Sequence, residues 1–138
     1  AYVLARNGRP VMGDLRYLAD TKIREFATPL ARAQLAAALA LLGDRGRSQA
    51  AFASAVEQLR AGRDTGLSRP DFGTRLRDGA GLLALASEAG LGPDMIRPIG
   101  AVVAEARAPR RFTSTQENAW MILAAQAGAR EAEGIALT

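Results

Sequence analysis

Helical segments of two kinds alternate along this chain, and the alternation restricts the possible folds more than any other feature. The segments around Leu39, Leu83 and Leu123 are apolar over nearly their whole circumference, which predicts helices surrounded by protein. The two segments between them are apolar on one face only, which predicts outer helices with a wet face. Their apolar residues are Phe52, Val56 and Leu59 in the first and Ile96, Ile99, Val103 and Ala106 in the second.

The buried type of segment recurs at a nearly constant spacing. Leu39 and Leu83 are 44 residues apart, and Leu83 and Leu123 are 40 apart. Repeats of this length are typical of stacked helical hairpins. We therefore predict an all-α fold of repeated antiparallel αα-hairpins. Closed into a ring, such hairpins form an α/α toroid, of which about three hairpins would supply only a part.

Caps and periodicity predict seven helical segments. Thr28 before Pro29 is a typical helix start, and residues 114–117, Ser-Thr-Gln-Glu, form a capping-box pattern. Leu15, Leu18 and Ile23 are the apolar positions of the second segment, which is expected to break near Thr21 if it breaks at all. The predicted ranges are 2–6, 14–26, 29–42, 48–60, 74–89, a segment following 92–94 and ending near 107, and one from 114 to between 128 and 134.

The composition agrees with closely packed helices. Hydrophobic residues make up 49% of the 138 residues but aromatic residues only 5%, so alanine, leucine and other small side chains must fill the core. No β-branched alternation of the kind that strands need is present. We expect one domain over residues 1–138. Residues 1–6 look like the end of an interrupted helix, so the chain is expected to be part of a larger protein.

Charge and residue usage exclude several classes of function. The net charge is +4, but the basic residues are spread along the chain with acidic neighbours, whereas nucleic-acid binding favours a basic stripe. Cysteine and histidine are both absent. This excludes thiol nucleophiles, imidazole bases, disulfides and almost every zinc site. We expect no enzyme activity, no cofactor, no metal and no nucleic-acid partner, and direct membrane contact is not expected either.

Three features of the sequence are candidate sites. Asp78 and Glu117 lie near the starts of two buried helices, where carboxylates either cap the helix or perform acid–base chemistry, and capping is the favoured interpretation. Trp120 is interpreted as a core residue in preference to a stacking platform. Arg110 and Arg111 are interpreted as a solvated turn in preference to a contact with an anionic partner, and contact with another domain of the same protein is the intermediate alternative. The prediction is therefore that no catalytic, cofactor-binding or metal-binding residue is present.

Four stretches, residues 14–21, 29–44, 75–86 and 113–125, resemble the C-terminal half of the thioester-type helical domain of bacterial alpha-2-macroglobulins. The most specific is Ser-Thr-Gln-Glu-Asn-Ala-Trp at 114–120. The resemblance implies a segment of an α/α toroid within a very large, lipid-anchored periplasmic protein. In that family proteases cleave a bait segment, the molecule collapses, and the protease is trapped. The implied partners are target proteases and other domains of the same protein.

The family's covalent chemistry uses a thioester between Cys and Gln in a Cys-x-Glu-Gln motif. This chain contains no cysteine, and Gln116-Glu117 has the reverse order without a thiol. Either the motif lies upstream in the longer protein, or that protein belongs to family members without it. The resemblance therefore implies a scaffold role in protease trapping.

Two other functions stay open from the sequence. The chain could be a free-standing helical-repeat module that binds a peptide or protein on a concave face. A toroidal glycosidase or lyase would instead require carboxylates that converge on an open cavity. An incomplete ring also leaves apolar hairpin edges uncovered, so we expect the isolated chain to self-associate.

Overall fold

The computed structural model describes residues 1–9 and 11–137, and in these ranges every regular element is helical. The predicted all-α class is thus confirmed. The helices are α1 (Tyr2–Arg6), α2 (Met12–Tyr17), α3 (Pro29–Leu41), α4 (Arg45–Ala61), α5 (Arg75–Glu88), α6 (Pro93–Arg107) and α7 (Thr115–Ala136). None of them is both long and apolar enough to span a membrane.

Helices α3, α5 and α7 form the inner set, and α4 and α6 pack outside them. Short turns join α3 to α4 and α5 to α6, so each pair is an antiparallel hairpin. Helix α5 is central, because it packs against α3, α6 and α7. Ten of its fourteen residues are buried. The predicted alternation of buried and one-sided helices is present from α3 to α6, and α7 departs from it.

The main core lies between the two hairpins and is built from a few large side chains among many alanines. Phe52 and Leu59 from α4 meet Leu82 and Leu85 from α5, together with Ile99 from α6. All five side chains are fully buried. A second, smaller cluster packs the N-terminal helices onto α3 through Ala5, Leu15, Leu35, Ala38 and Leu39.

Glycine permits the close approach of the inner helices. A Cβ atom added to Gly81 in α5 would lie 2.5 Å from Leu30 Cδ1 and 3.3 Å from Trp120 Cδ2. Leu30 comes from α3 and Trp120 from α7, so both neighbouring helices contact α5 at the same position. This contact explains why the central helix needs a residue without a side chain.

The second predicted segment, residues 14–26, is not one regular α-helix. Helix α2 ends at Tyr17, and the chain continues as a wider π turn (Leu18–Lys22) and a 3₁₀ turn (Ile23–Glu25). The Thr21 hydroxyl donates to the Tyr17 carbonyl at 2.7 Å. Threonine back-bonding of this kind competes with regular backbone pairing, so the pitch changes where a break was expected.

Two predicted helix limits are also wrong. Helix α4 begins three residues before the predicted Ser48, because the Asp44 carboxylate accepts from the Arg47 N–H at 3.3 Å and caps it there. Helix α7 continues through Gly128 and Gly134 to Ala136. These glycines keep helical backbone angles, whereas Gly43 and Gly90, with φ of +82° and +70°, follow the ends of α3 and α5.

Helix α7 differs most from its prediction, because it is not surrounded by protein. Only Glu117, Ala124 and Ala127 are buried, while Ile122 and Leu123 are 59% and 43% exposed. Among the described elements α5 is its principal neighbour. The apolar surface of α7 away from α5 is therefore open to solvent.

Candidate functional site

The starts of α5 and α7 lie side by side and share hydrogen bonds. Thr74 caps α5 by accepting from the Arg77 N–H at 3.1 Å, and its hydroxyl donates to Glu117 Oε1 at 2.6 Å. At α7, Ser114 Oγ accepts from the Glu117 N–H at 3.2 Å, and Glu117 Oε2 accepts from the Ser114 N–H at 2.8 Å. The predicted capping role of Glu117 is confirmed, and the same carboxylate also joins the two inner helices.

Asp78 does not cap its helix, contrary to the favoured interpretation. Its Oδ1 accepts from Arg77 Nη2 at 2.6 Å and Nε at 3.0 Å, and its Oδ2 accepts from Arg69 Nη1 at 2.7 Å. Asp78 lies in the first turn of α5, but both of its oxygens are taken by these arginines, and Thr74 supplies the side-chain cap. Asp78 is a buried ion-pair partner that fixes the loop before α5.

Arg110 was interpreted as part of a solvated turn, and this was wrong. Its guanidinium binds Glu117 through Nη1 and Asp64 through Nη2, the latter at 3.1 Å. It thereby ties the loop before α7 to the loop before α5. Its neighbour Arg111 is exposed as expected, and its guanidinium lies over the Phe112 ring, 5.5 Å from the centroid.

Asp71 completes the cluster from the loop. Arg77 Nη2 donates to its Oδ2 at 2.7 Å, Arg69 Nη2 donates to the same oxygen at 2.8 Å, and the Gly73 N–H donates to Oδ1 at 3.1 Å. Partial desolvation raises the pKa of Asp71, but these hydrogen bonds outweigh it and hold the pKa at about 2. Asp71 is therefore ionised at every ordinary pH.

No local sequence signal indicates which residues pair in this cluster. Glu117 was visible through its capping box, and Asp78 through its place near a helix start. Arg69, Asp71 and Arg110 come from loops, and their partners lie up to 46 residues away. Spacing along a helix cannot reveal such pairs.

The cluster connects the loops to the helix starts, and its buried carboxylates are fully engaged in hydrogen bonds. Both oxygens of Asp78 and both oxygens of Glu117 accept hydrogen bonds from arginine, hydroxyl or backbone donors. A cavity of about 190 Å³ borders Asp78, but both carboxylate oxygens of Asp78 accept hydrogen bonds from arginines. General acid–base catalysis needs a carboxylate within reach of its substrate. Among residues 1–9 and 11–137, no group of three Asp or Glu side chains is placed to hold a metal ion.

Trp120 follows the favoured interpretation. It is partly buried and packs on the main core at Gly81. Its ring thus helps to seat α7 on α5.

Comparison with known proteins assigns this arrangement to a family. The chain matches no known protein-family model. It is 35% identical over 121 residues to the alpha-2-macroglobulin of Xylella fastidiosa strain Temecula1, and 33% identical over 126 residues to that of Escherichia coli K12. These alignments cover 84% and 91% of the chain. The chain is homologous to a segment of the bacterial alpha-2-macroglobulins. The resemblance found in its sequence is confirmed.

Solved alpha-2-macroglobulin structures share the fold of this segment. Native E. coli alpha-2-macroglobulin and Salmonella alpha-2-macroglobulin reacted with methylamine both superpose with a TM-score of 0.75 at 33% identity, over 91% of the chain. The segment spans about 8% of the length of those structures, and 7–8% of the two relatives above. It contains no cysteine, so no thioester of the Cys–Gln type forms within it.

Proposed function

We propose that this chain is a non-catalytic part of a bacterial alpha-2-macroglobulin-like protease inhibitor of the periplasm. In this proposal residues 1–138 form one all-α unit of an α/α toroid. The observation that carries the proposal is the similarity to alpha-2-macroglobulins, at 33–35% identity over most of the chain with a TM-score of 0.75. Both oxygens of the Asp78 and Glu117 carboxylates accept hydrogen bonds within the segment, and this supports a scaffold role.

The scaffold role has two parts. The inner helices α3 and α5 keep the segment rigid through their buried contacts. The open face of α7 and the loops contact other domains of the same longer protein. Target proteases are partners of that protein as a whole, which encloses them after they cleave it.

A chimera tests the proposal. The matching segment of E. coli alpha-2-macroglobulin is replaced by this chain, and a protease is added. An enclosed protease still cleaves a small peptide, whereas a large protein substrate cannot reach it. We expect the chimera to suppress cleavage of the large substrate and to spare cleavage of the small one.

The control separates folding from function. A second chimera carries Ile122→Glu and Leu123→Glu on the open face of α7, and it is expected to lose trapping while the isolated chain with the same two changes keeps the helical circular dichroism of the parent chain. A first chimera that unfolds like the parent protein but leaves the large substrate unprotected would contradict the proposal.

A further inference from the structure

The loops before α5 and α7 present exposed apolar side chains at one end of the molecule. Leu67, Phe72 and Phe112 are 82%, 78% and 82% exposed. The two loops are adjacent, because Arg110 in the second binds Asp64 in the first. The three apolar side chains together with Arg63 and Arg111 are called here the loop-end surface.

The backbone beneath this surface is fixed by the buried ionic cluster. In the first loop, Arg69 binds Asp78 at 2.7 Å and Asp71 is bound by Arg77 at 2.7 Å. The exposed apolar side chains are therefore attached to an ordered backbone. A surface that is already ordered loses less conformational entropy when a partner binds.

Phe72 has a backbone conformation that disfavours its side chain. Its φ is +53°, and it is the one residue other than glycine with positive φ in the part of the chain that the structure describes. Its N–H donates to the Arg69 carbonyl at 2.9 Å, which holds the turn in place. Glycine would adopt this conformation without strain. Because the phenyl ring gains almost no burial in return, the residue costs stability, and such strain is typical of functional surfaces.

The free charge around these rings is positive. The two loops, residues 62–73 and 108–113, contain four arginines and two aspartates. Both aspartates, Asp64 and Asp71, are engaged by arginines of the cluster. Arg63 donates to backbone carbonyls of its own turn, and Arg111 lies over Phe112. These two arginines form no salt bridge within the described residues.

We propose that the loop-end surface binds an apolar protein segment edged by carboxylates. Leu67 and Phe72 border an open groove of about 490 Å³ together with Arg63. Apolar side chains of the partner occupy this groove, and its carboxylates pair with Arg63 and Arg111. The inference rests on the proposed function, because it specifies where the segment contacts a neighbouring domain and the chemistry of that contact.

Fluorescence anisotropy with this chain alone tests the proposal. The probe is a fluorescein-labelled twelve-residue peptide in which Asp and Glu alternate with Leu and Phe, and the control peptide has Lys at the acidic positions. We expect the acidic peptide to bind at least about tenfold more tightly. Phe72→Gly is expected to weaken that binding by about tenfold or more without lowering the unfolding midpoint. Arg111→Glu weakens it too, whereas the matched control Arg130→Glu on α7 does not.

Three results would overturn the proposal. They are equal or absent binding of the two peptides, unchanged binding by Phe72→Gly, and a loss of stability in Phe72→Gly, which would make the ring structural. Lost peptide binding with intact trapping by the chimera rejects this surface alone. Peptide binding without trapping rejects the proposed function alone.

Discussion

Side chains from loops hold the inner helices of this segment in register. Glu117 receives hydrogen bonds from a helix cap, from its own capping box and from Arg110. The local half of this arrangement could be predicted, because a capping box has a fixed spacing of three residues. The arginine could not, because its position depends on how two loops meet after the helices have packed.

Among the glycines within helices, Gly81 has the least room for a Cβ atom. Gly81→Val is expected to lower the free energy of unfolding by about 1–3 kcal/mol, because the new side chain would collide with Leu30 and Trp120. The matched control is Gly100→Val in α6, where an added Cβ meets open space. Urea unfolding measures both. A Gly81 variant as stable as the Gly100 variant would contradict the close helix contact.

Asp71 makes the stability of the segment depend on pH in the acid range. Its pKa is about 2 in the folded chain and 3.8 without perturbation. A lowered folded pKa gives stability that is complete above about pH 4 and is lost as pH falls towards 2. Asp71→Asn is therefore expected to flatten the fall in thermal midpoint between pH 4 and pH 2.

The control for Asp71 is Asp94→Asn, which changes an exposed carboxylate at the start of α6. Its acid profile should follow that of the parent chain. If Asp71→Asn kept the full acid dependence, Asp71 would not carry the effect.

At the scale of helices, capping residues predicted the starts of three helices. Thr28, Thr74 and Ser114 cap α3, α5 and α7 as their sequences indicate. A break near Thr21 was expected, but its form as a π turn was not, because it depends on how one hydroxyl competes with the backbone. The burial of α7 was overestimated, because apolar composition shows what a helix can bury and cannot show which neighbours are present.

The open face of α7 predicts self-association of the isolated chain. Ile122 and Leu123 project away from the core, and contact between two such faces removes apolar surface from water. Analytical ultracentrifugation at high concentration is expected to show dimers or larger species. Ile122→Glu with Leu123→Glu should shift the chain to monomer, whereas Ala53→Glu on the exposed side of α4 should not. A strict monomer for the parent chain would contradict this prediction.

At the scale of the whole molecule, the repeat period was the most informative sequence feature. Spacings of 44 and 40 residues between apolar centres predicted hairpins that the structure contains, and homology to alpha-2-macroglobulin segments agrees with them. The apolar side chains of the loop-end surface were not predicted. Exposed phenylalanines in loops carry no periodic signal, and the strain at Phe72 is visible only in its backbone angle.

In the scaffold role proposed above, the buried carboxylates of Asp78 and Glu117 give the segment its shape. The most direct test is the free energy of unfolding of Asp78→Asn and Glu117→Gln in urea. Each change removes a fully buried negative charge from the arginines around it. Those arginines keep only Asp71 or Asp64, whose side chains are 38% and 43% exposed, so we expect a loss of at least about 2 kcal/mol. Glu105→Gln, whose carboxylate is exposed and pairs with Arg75 at 3.3 Å, should lose less than about 1 kcal/mol. Unchanged or increased stability in Asp78→Asn and Glu117→Gln, as expected for residues kept for activity at a cost in stability, would contradict the account.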